Sequence, residues 1–228
     1  MVHVAKLSFN GDPNVGLYCA VSDKVCLVGK SVASKYIKKL KDVFKVPIIQ
    51  ANVYGTSLVG IFVVISGNTI LLPDVIFDSE LAEIRAAAAK LKVEVKTFKT
   101  DHTALANNIV CNNKVGIVST QFSKKEIKEI ESAFKIKTIR LDLAEMNTPG
   151  SAGVINNKNG VFSPNLTDEE IAKVEKLLGF EIGLGSINMG SPIIHSGLVA
   201  NSFGFIVGDL SSGYEIGRVE ESLGFLDR

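Results

Sequence analysis

Six side chains in this 228-residue sequence could support covalent or metal-assisted chemistry: Cys19, Cys26, Cys111, His3, His102 and His195. A catalytic thiol needs a neighbouring base or positive field to ionise it. Cys19 and Cys111 instead stand among apolar residues in segments that read as first strands of hairpins, and Cys26 stands in a second one. None of the histidines sits in a carboxylate-pair motif, and no Cys/His pair has the spacing of a zinc ligand set. The odd number of cysteines and their wide spacing point to buried free thiols in a reducing compartment. Glycine is plentiful, but no dinucleotide-binding or P-loop motif occurs. Gly183-Leu184-Gly185 is followed by no helix and so offers no helix N-terminus to an anion. Its expected role is close backbone approach in a strand near the molecular axis. The residues therefore predict no catalytic centre, no metal and no cofactor.

Charge is the other resource. Lys35, Lys38, Lys39, Lys41 and Lys45 cluster on one helical segment. They form either a solvated face or an electrostatic contribution to docking on an RNA-rich particle. Lys124, Lys125 and Lys128 are interleaved with Glu126, Glu129 and Glu131, which favours a solvated face. The formal net charge is +1, which argues against general DNA or RNA binding but leaves room for a local basic patch. No apolar run approaches the roughly 18 residues of a membrane span, and no leader pattern opens the chain. The expectation is a cytoplasmic protein with no membrane and no DNA partner.

The elements that hold these residues repeat. Five apolar triplets at i, i+3 and i+7 each define one face of a helix. They are Ile37-Leu40-Phe44, Leu81-Ile84-Ala88, Ile127-Ile130-Phe134, Ile171-Val174-Leu178 and Ile216-Val219-Leu223, stepping by 44, 46, 44 and 45 residues. Upstream of each lies a hairpin pattern, with polar turns beginning at Ser22, Ser66, Asn112, Asn156 and Asn201 at the same steps. Capping boxes at Ser123 with Glu126, Thr167 with Glu170 and Ser212 with Glu215 set the helix starts. Asp78 and Ser34 are the expected caps of the other two helices. A third β-like segment follows four of the helices: Val46 to Val53, Val93 to Phe98, Ile136 to Leu141, and Phe180 to Ile187. The fifth unit lacks one, while Val2 to Phe9 belongs to no unit.

The economical solution joins the ends, with the N-terminal strand completing the fifth unit. This predicts an α/β fold, a five-fold pseudosymmetric αβ propeller in one domain. The units run over about 10–55, 56–103, 104–148, 149–191, and 192–228 plus 1–9.

Several segments, in order along the whole chain, resemble the translation initiation factor 6 family in its archaeal form, which has the pentein ring fold. They are Asn14-Val15-Gly16 with Val25-Cys26-Leu27-Val28, and Leu71-Leu72-Pro73 with Asp78-Ser79-Glu80-Leu81. Ala104-Leu105-Ala106-Asn107 with Cys111-Asn112 follows, and then Gly185-Ser186-Ile187-Asn188-Met189-Gly190-Ser191. The resemblance implies a monomeric, non-enzymatic factor that binds the large ribosomal subunit. Its partner would be a ribosomal protein near the sarcin–ricin loop, with possible rRNA contacts. It would block joining of the small subunit by occupying that surface, with a role in subunit maturation. The sequence stops at Arg228, so regulation through a C-terminal tail, as in eukaryotic members, is not expected. The alternative within the same fold is a hydrolase or transferase acting on a guanidino substrate, which would need a Cys nucleophile, a His and acidic residues around the central channel.

Asn107 matches a family position on the ribosomal-protein-binding face. Carrying its place through the repeat gives Leu17, Ile61, Ala152 and Gly197. These five are expected to ring one mouth of the barrel as a small, largely apolar docking rim.

Overall fold

The computed structural model describes residues 2–226. Met1, Asp227 and Arg228, which close the outermost repeat boundaries, lie outside the described residues. Among the described residues fifteen strands form five three-stranded sheets. The strands are β1 Val4–Leu7, β2 Cys19–Val21, β3 Cys26–Gly29, β4 Ile48–Ala51, β5 Val64–Ser66, β6 Thr69–Pro73, β7 Glu94–Phe98 and β8 Ile109–Cys111. They continue with β9 Val115–Val118, β10 Lys137–Arg140, β11 Gly153–Ile155, β12 Gly160–Phe162, β13 Gly183–Leu184, β14 Leu198–Ala200 and β15 Phe205–Gly208. The longer helices are α1 Ser34–Phe44, α2 Asp78–Lys90, α3 Lys124–Phe134, α4 Asp168–Leu178 and α5 Gly213–Ser222.

Each sheet begins with a hairpin whose second strand pairs in parallel with a third, as in the register Val64↔Leu71 and Leu71↔Lys96. A parallel neighbour needs a crossover, and the long helix supplies it. In the fifth sheet that third strand is β1, parallel to β15 from Val4↔Phe205 to Leu7↔Gly208. The N-terminal segment thus completes the last unit, as its pattern predicts.

Every helix lies between two sheets. Leu40, Val43 and Phe44 of α1 share a buried cluster with Cys26 and Val28 of their own sheet and with Leu7, Val199 and Ile206 of the fifth. Ile84 and Ala88 of α2 meet Ala20, Leu27 and Ile49 of the first sheet. With both faces covered, a strand such as Cys26–Gly29 is buried along its whole length, hence its unbroken apolar run.

The three capping boxes form as expected. The backbone N–H of Glu126 donates to Ser123 Oγ at 3.3 Å, and Ser123 N–H donates back to Glu126 Oε2 at 2.8 Å. The other two expected caps are corrected. Asp78 and Ser34 are first helical residues, and the cap positions fall to Phe77 and Ala33, whose side chains cannot accept a hydrogen bond. In α2 the loss is partly offset because Glu80 accepts from Phe77 N–H at 3.4 Å. In α1 Tyr36 occupies that position and nothing replaces it.

The place of Gly183 is also corrected. β13 is the third strand of its sheet, far from the axis, and Gly183 packs against α5. A Cβ there would lie 1.8 Å from Ser222 Oγ. The close approach is real, but its partner is the outer helix.

Candidate docking surface

Five short helical turns precede the five hairpins: Val15–Tyr18, Val59–Phe62, Leu105–Asn108, Pro149–Ala152 and Ile194–Gly197. Four residues are too few for a helical period to show, so the sequence alone does not reveal them. Each turn touches the next, and the turn at Ile194–Gly197 touches the one at Val15–Tyr18. Glycine permits the approach: a Cβ on Gly60 would sit 1.9 Å from the Gly16 carbonyl oxygen, and one on Gly16 only 1.7 Å from that of His195.

The turns put Leu17, Ile61 and Asn107 at the same third position, each partly exposed. Ala152 and Gly197 do not join them. They stand fourth in their turns and are buried, and a Cβ on Gly197 would strike Ile187 and Asn188. The residues in register are Ser196, partly exposed, and Ser151, which is itself buried. Turn and first strand have the same length in every unit, so the offset to the hairpin turn is constant and admits no one-residue shift.

Asn107 differs from its counterparts in chemistry. Its backbone N–H is used, donating to Ala104 O at 3.1 Å, but its carboxamide makes no hydrogen bond among the described residues. Next to it Asn108 is buried; its Nδ2 donates to Ala104 O at 2.9 Å, while its Oδ1 has no donor. A free carboxamide on a packed rim can orient a partner.

The same end of the molecule carries exposed apolar side chains that sequence reasoning missed. Tyr54 and Phe77 lean together, with ring centroids 5.5 Å apart, and Val75 is also exposed. Met189 stands out from the end of the fourth unit, and Leu210 and Tyr214 from the fifth. Tyr54, Met189, Leu210 and Tyr214 stand singly in loops or at a helix start, and Val75 and Phe77 flank the buried Ile76, so neither pattern marks a surface in the sequence. Carboxylates gather here as well: Asp78 and Asp168 open α2 and α4, where the helix N-terminus favours an acidic side chain, and others lie in the adjoining loops. Asp74, Asp78, Asp101, Glu145, Asp168 and Asp209 are all exposed.

Behind the turns lies an axial cavity of about 80 Å³, lined by the first strands together with Ala106, Gly150 and His195. Cys19 and Cys111 face it. Burial pushes the Cys19 thiol well above its usual range, and Cys26 beside it adds to the effect. Burial pushes Cys111 up to about 12, with a small opposing contribution from the Ser66 hydroxyl. His195 Nε2 lies 3.0 Å from Gly60 O, so this nitrogen carries the hydrogen. Burial holds the imidazole neutral, against the pull of that carbonyl. Protonated thiols, a neutral histidine and no lining carboxylate leave nothing here to hold or attack a guanidinium. No cluster of three potential metal ligands occurs among the described residues.

Comparison with known proteins agrees with this geometry. A dimethylarginine dimethylaminohydrolase, solved as an adduct with S-methyl-L-thiocitrulline, superposes with a TM-score of 0.52. The match covers 91% of this chain and 72% of that one at 10% identity, and so shows the shared pentein fold alone. "Translation initiation factor 6" of Thermococcus onnurineus is 34% identical over 99% of this chain and 100% of its own length. The proteins of the same name from Thermococcus kodakarensis and Staphylothermus marinus are 37% and 31% identical, over 99% and 97% of this chain and 100% and 98% of theirs. With the eIF-6 family profile matched from residue 4 to residue 222 and full-length relatives of this similarity, the chain belongs to the eIF-6 family.

Proposed function

We propose that this protein is a cytoplasmic translation initiation factor that binds the large ribosomal subunit and sterically blocks its association with the small subunit. We extend this to a part in large-subunit maturation. In this reading the chain is one domain, a closed five-bladed propeller acting as a monomer, and it binds without catalysing a reaction.

Family membership supplies the ribosomal context, and the rim of short turns supplies the surface. The observation that carries the assignment is Asn107, the partly exposed member of the rim whose carboxamide makes no hydrogen bond among the described residues. Ile61 on the neighbouring turn and Leu17 on the turn beyond it add apolar surface, and Ser196 takes the place of Gly197 as a rim residue. The apolar tips Tyr54, Phe77 and Met189 widen the contact, and the surrounding carboxylates complement a basic ribosomal protein near the sarcin–ricin loop. Protein and possible rRNA contacts there would exclude the small subunit by occupancy alone.

The experiment is co-sedimentation with purified large subunits. Asn107→Lys puts a long cation in place of the amide and should lower affinity at least tenfold, with the thermal midpoint within about 2 °C of the parent. Undiminished affinity would remove Asn107 from the surface. Failure of the parent protein to co-sediment would reject the function.

A further inference from the structure

At the opposite end of the molecule the hairpin turns meet the C-termini of the long helices. Parallel pairing forces this, because each crossover helix must end where its own second strand begins. Hydrogen bonds tie the two together: Cys26 N–H donates to Pro47 O, and Glu94 N–H to Asn68 O, each at 2.9 Å.

Two tiers of lysine crown this end. Lys24, Lys114 and Lys158 hold the same third position in three of the hairpin turns, and all are exposed. Lys45, Lys92 and Lys135 follow the ends of α1, α2 and α3, also exposed, with φ of 56°, 57° and 58°. Glycine is the usual residue in that left-handed conformation, which disfavours a side chain. α4 and α5 indeed end on Gly179 and Gly224, with φ of 76° and 71°. Three units accept the strain and place a cation there. In α1 and α2 the helix dipole alone does not require it, since Lys41 and Lys90 already serve their last turns; α3 has no other cation there. Nor does the dipole account for the hairpin lysines.

The anions nearby are largely engaged. Asp23 accepts from Ser202 N–H at 2.8 Å and from Asn157 Nδ2 at 2.7 Å. Glu131 accepts from Thr138 N–H, and Glu94 pairs with Lys96. None of the six lysines makes an ion pair among the described residues. Asp42 and Glu181 stay exposed and leave a clear cationic excess. In the fifth unit the place of Lys24 is taken by Phe203, a ring 44% exposed. It stands at a cavity of about 330 Å³ lined also by Asn112, Asn156 and Asn201.

We propose that this end binds a segment of single-stranded RNA, with its phosphates on the two tiers of lysine and a base against Phe203. Lysines that neutralise phosphates release counterions, and an exposed ring gives a sequence-tolerant stacking platform. The site is separate from the docking rim and does not depend on it.

The test is fluorescence anisotropy of a labelled twelve-residue oligouridylate with the full chain, titrated across potassium chloride concentration. Six lysine contacts predict a slope of log K against log salt of about −4. Replacing Lys24, Lys114 and Lys158 together by Gln should weaken binding at least tenfold and reduce the slope by about 2. Lys45→Gly, Lys92→Gly and Lys135→Gly together should weaken binding similarly with an unchanged or higher thermal midpoint, since glycine relaxes the backbone. A purely structural role for these three predicts the reverse, a lower midpoint and unchanged binding. Phe203→Ala should weaken binding without altering the slope. No binding at low salt, or binding indifferent to all three variants, overturns the proposal. Equal affinity for heparin or anionic vesicles, indifferent to Phe203→Ala, overturns it too. Asn107→Lys should leave oligouridylate binding intact, so failure here and failure of the ribosomal docking are separate results.

Discussion

Glu215 is almost fully buried yet ionised, because five donors surround its carboxylate. Ser212 gives its N–H at 2.7 Å and its hydroxyl at 2.9 Å, Gly190 N–H lies at 2.8 Å, Met189 N–H at 3.3 Å and Ser186 Oγ at 2.9 Å. Burial alone would raise its pKa; the hydrogen bonds from Ser212, Gly190 and Ser186 outweigh it and bring the value down to about 2. A depressed carboxylate stabilises the fold above its unfolded pKa of about 4.3, and that stability disappears as pH falls toward 2. Glu215→Gln should therefore cost about 2 kcal/mol at pH 7. Parent and variant should converge when urea unfolding is repeated between pH 4 and pH 2. The Ser212–Glu215 pair was legible in the sequence from its spacing. The donors at Ser186 and Gly190 were not, because only the fold brings them across some 25 residues. Asn107 shows the same limit: periodicity located its ring, but a one-residue slip misplaced Ala152 and Gly197, and the chemistry of the ring came from family resemblance.

Among the helices, α1 is the least well started. Ala33 is its cap residue with extended backbone, at φ −63° and ψ 147°, and the helix has no acidic residue in its first turn. That geometry already suits a side-chain cap, so Ala33→Asp should supply the missing acceptor. It should stabilise the protein by about 1 kcal/mol, read as a higher urea midpoint at unchanged slope. No gain would mean that the approach to α1 is not as open as its exposed cap residue indicates. The long helices and hairpins were readable because each spans a full period of its pattern. The four-residue turns were not, and neither were the two displaced helix starts, since capping signals blur when adjacent residues offer competing choices.

Across the whole molecule a net charge of +1 conceals a division along the axis. Carboxylates collect where the helices begin and unpaired lysines where they end. Counting charges in the sequence cannot show this, because the two populations alternate along the chain and separate only on folding. The N-terminal strand governs the integrity of the whole. β1 brings the buried Leu7 and Phe9 against the first and fifth units, and His3 O accepts from Phe205 N–H at 2.8 Å. Deleting residues 2–9 should cost more than about 4 kcal/mol, from two lost core side chains and an uncovered strand edge. Urea unfolding should then show a lower and broader transition; an unchanged midpoint would mean that the fifth unit stands without β1. The pairing of β1 with β15 also sets a clock. Its two halves lie about 200 residues apart, so at 5–20 residues per second the first strand waits on the order of ten seconds or more for its partner to be made. β1 therefore stays an unpaired edge, and the fifth sheet incomplete, until nearly all of the chain has been translated.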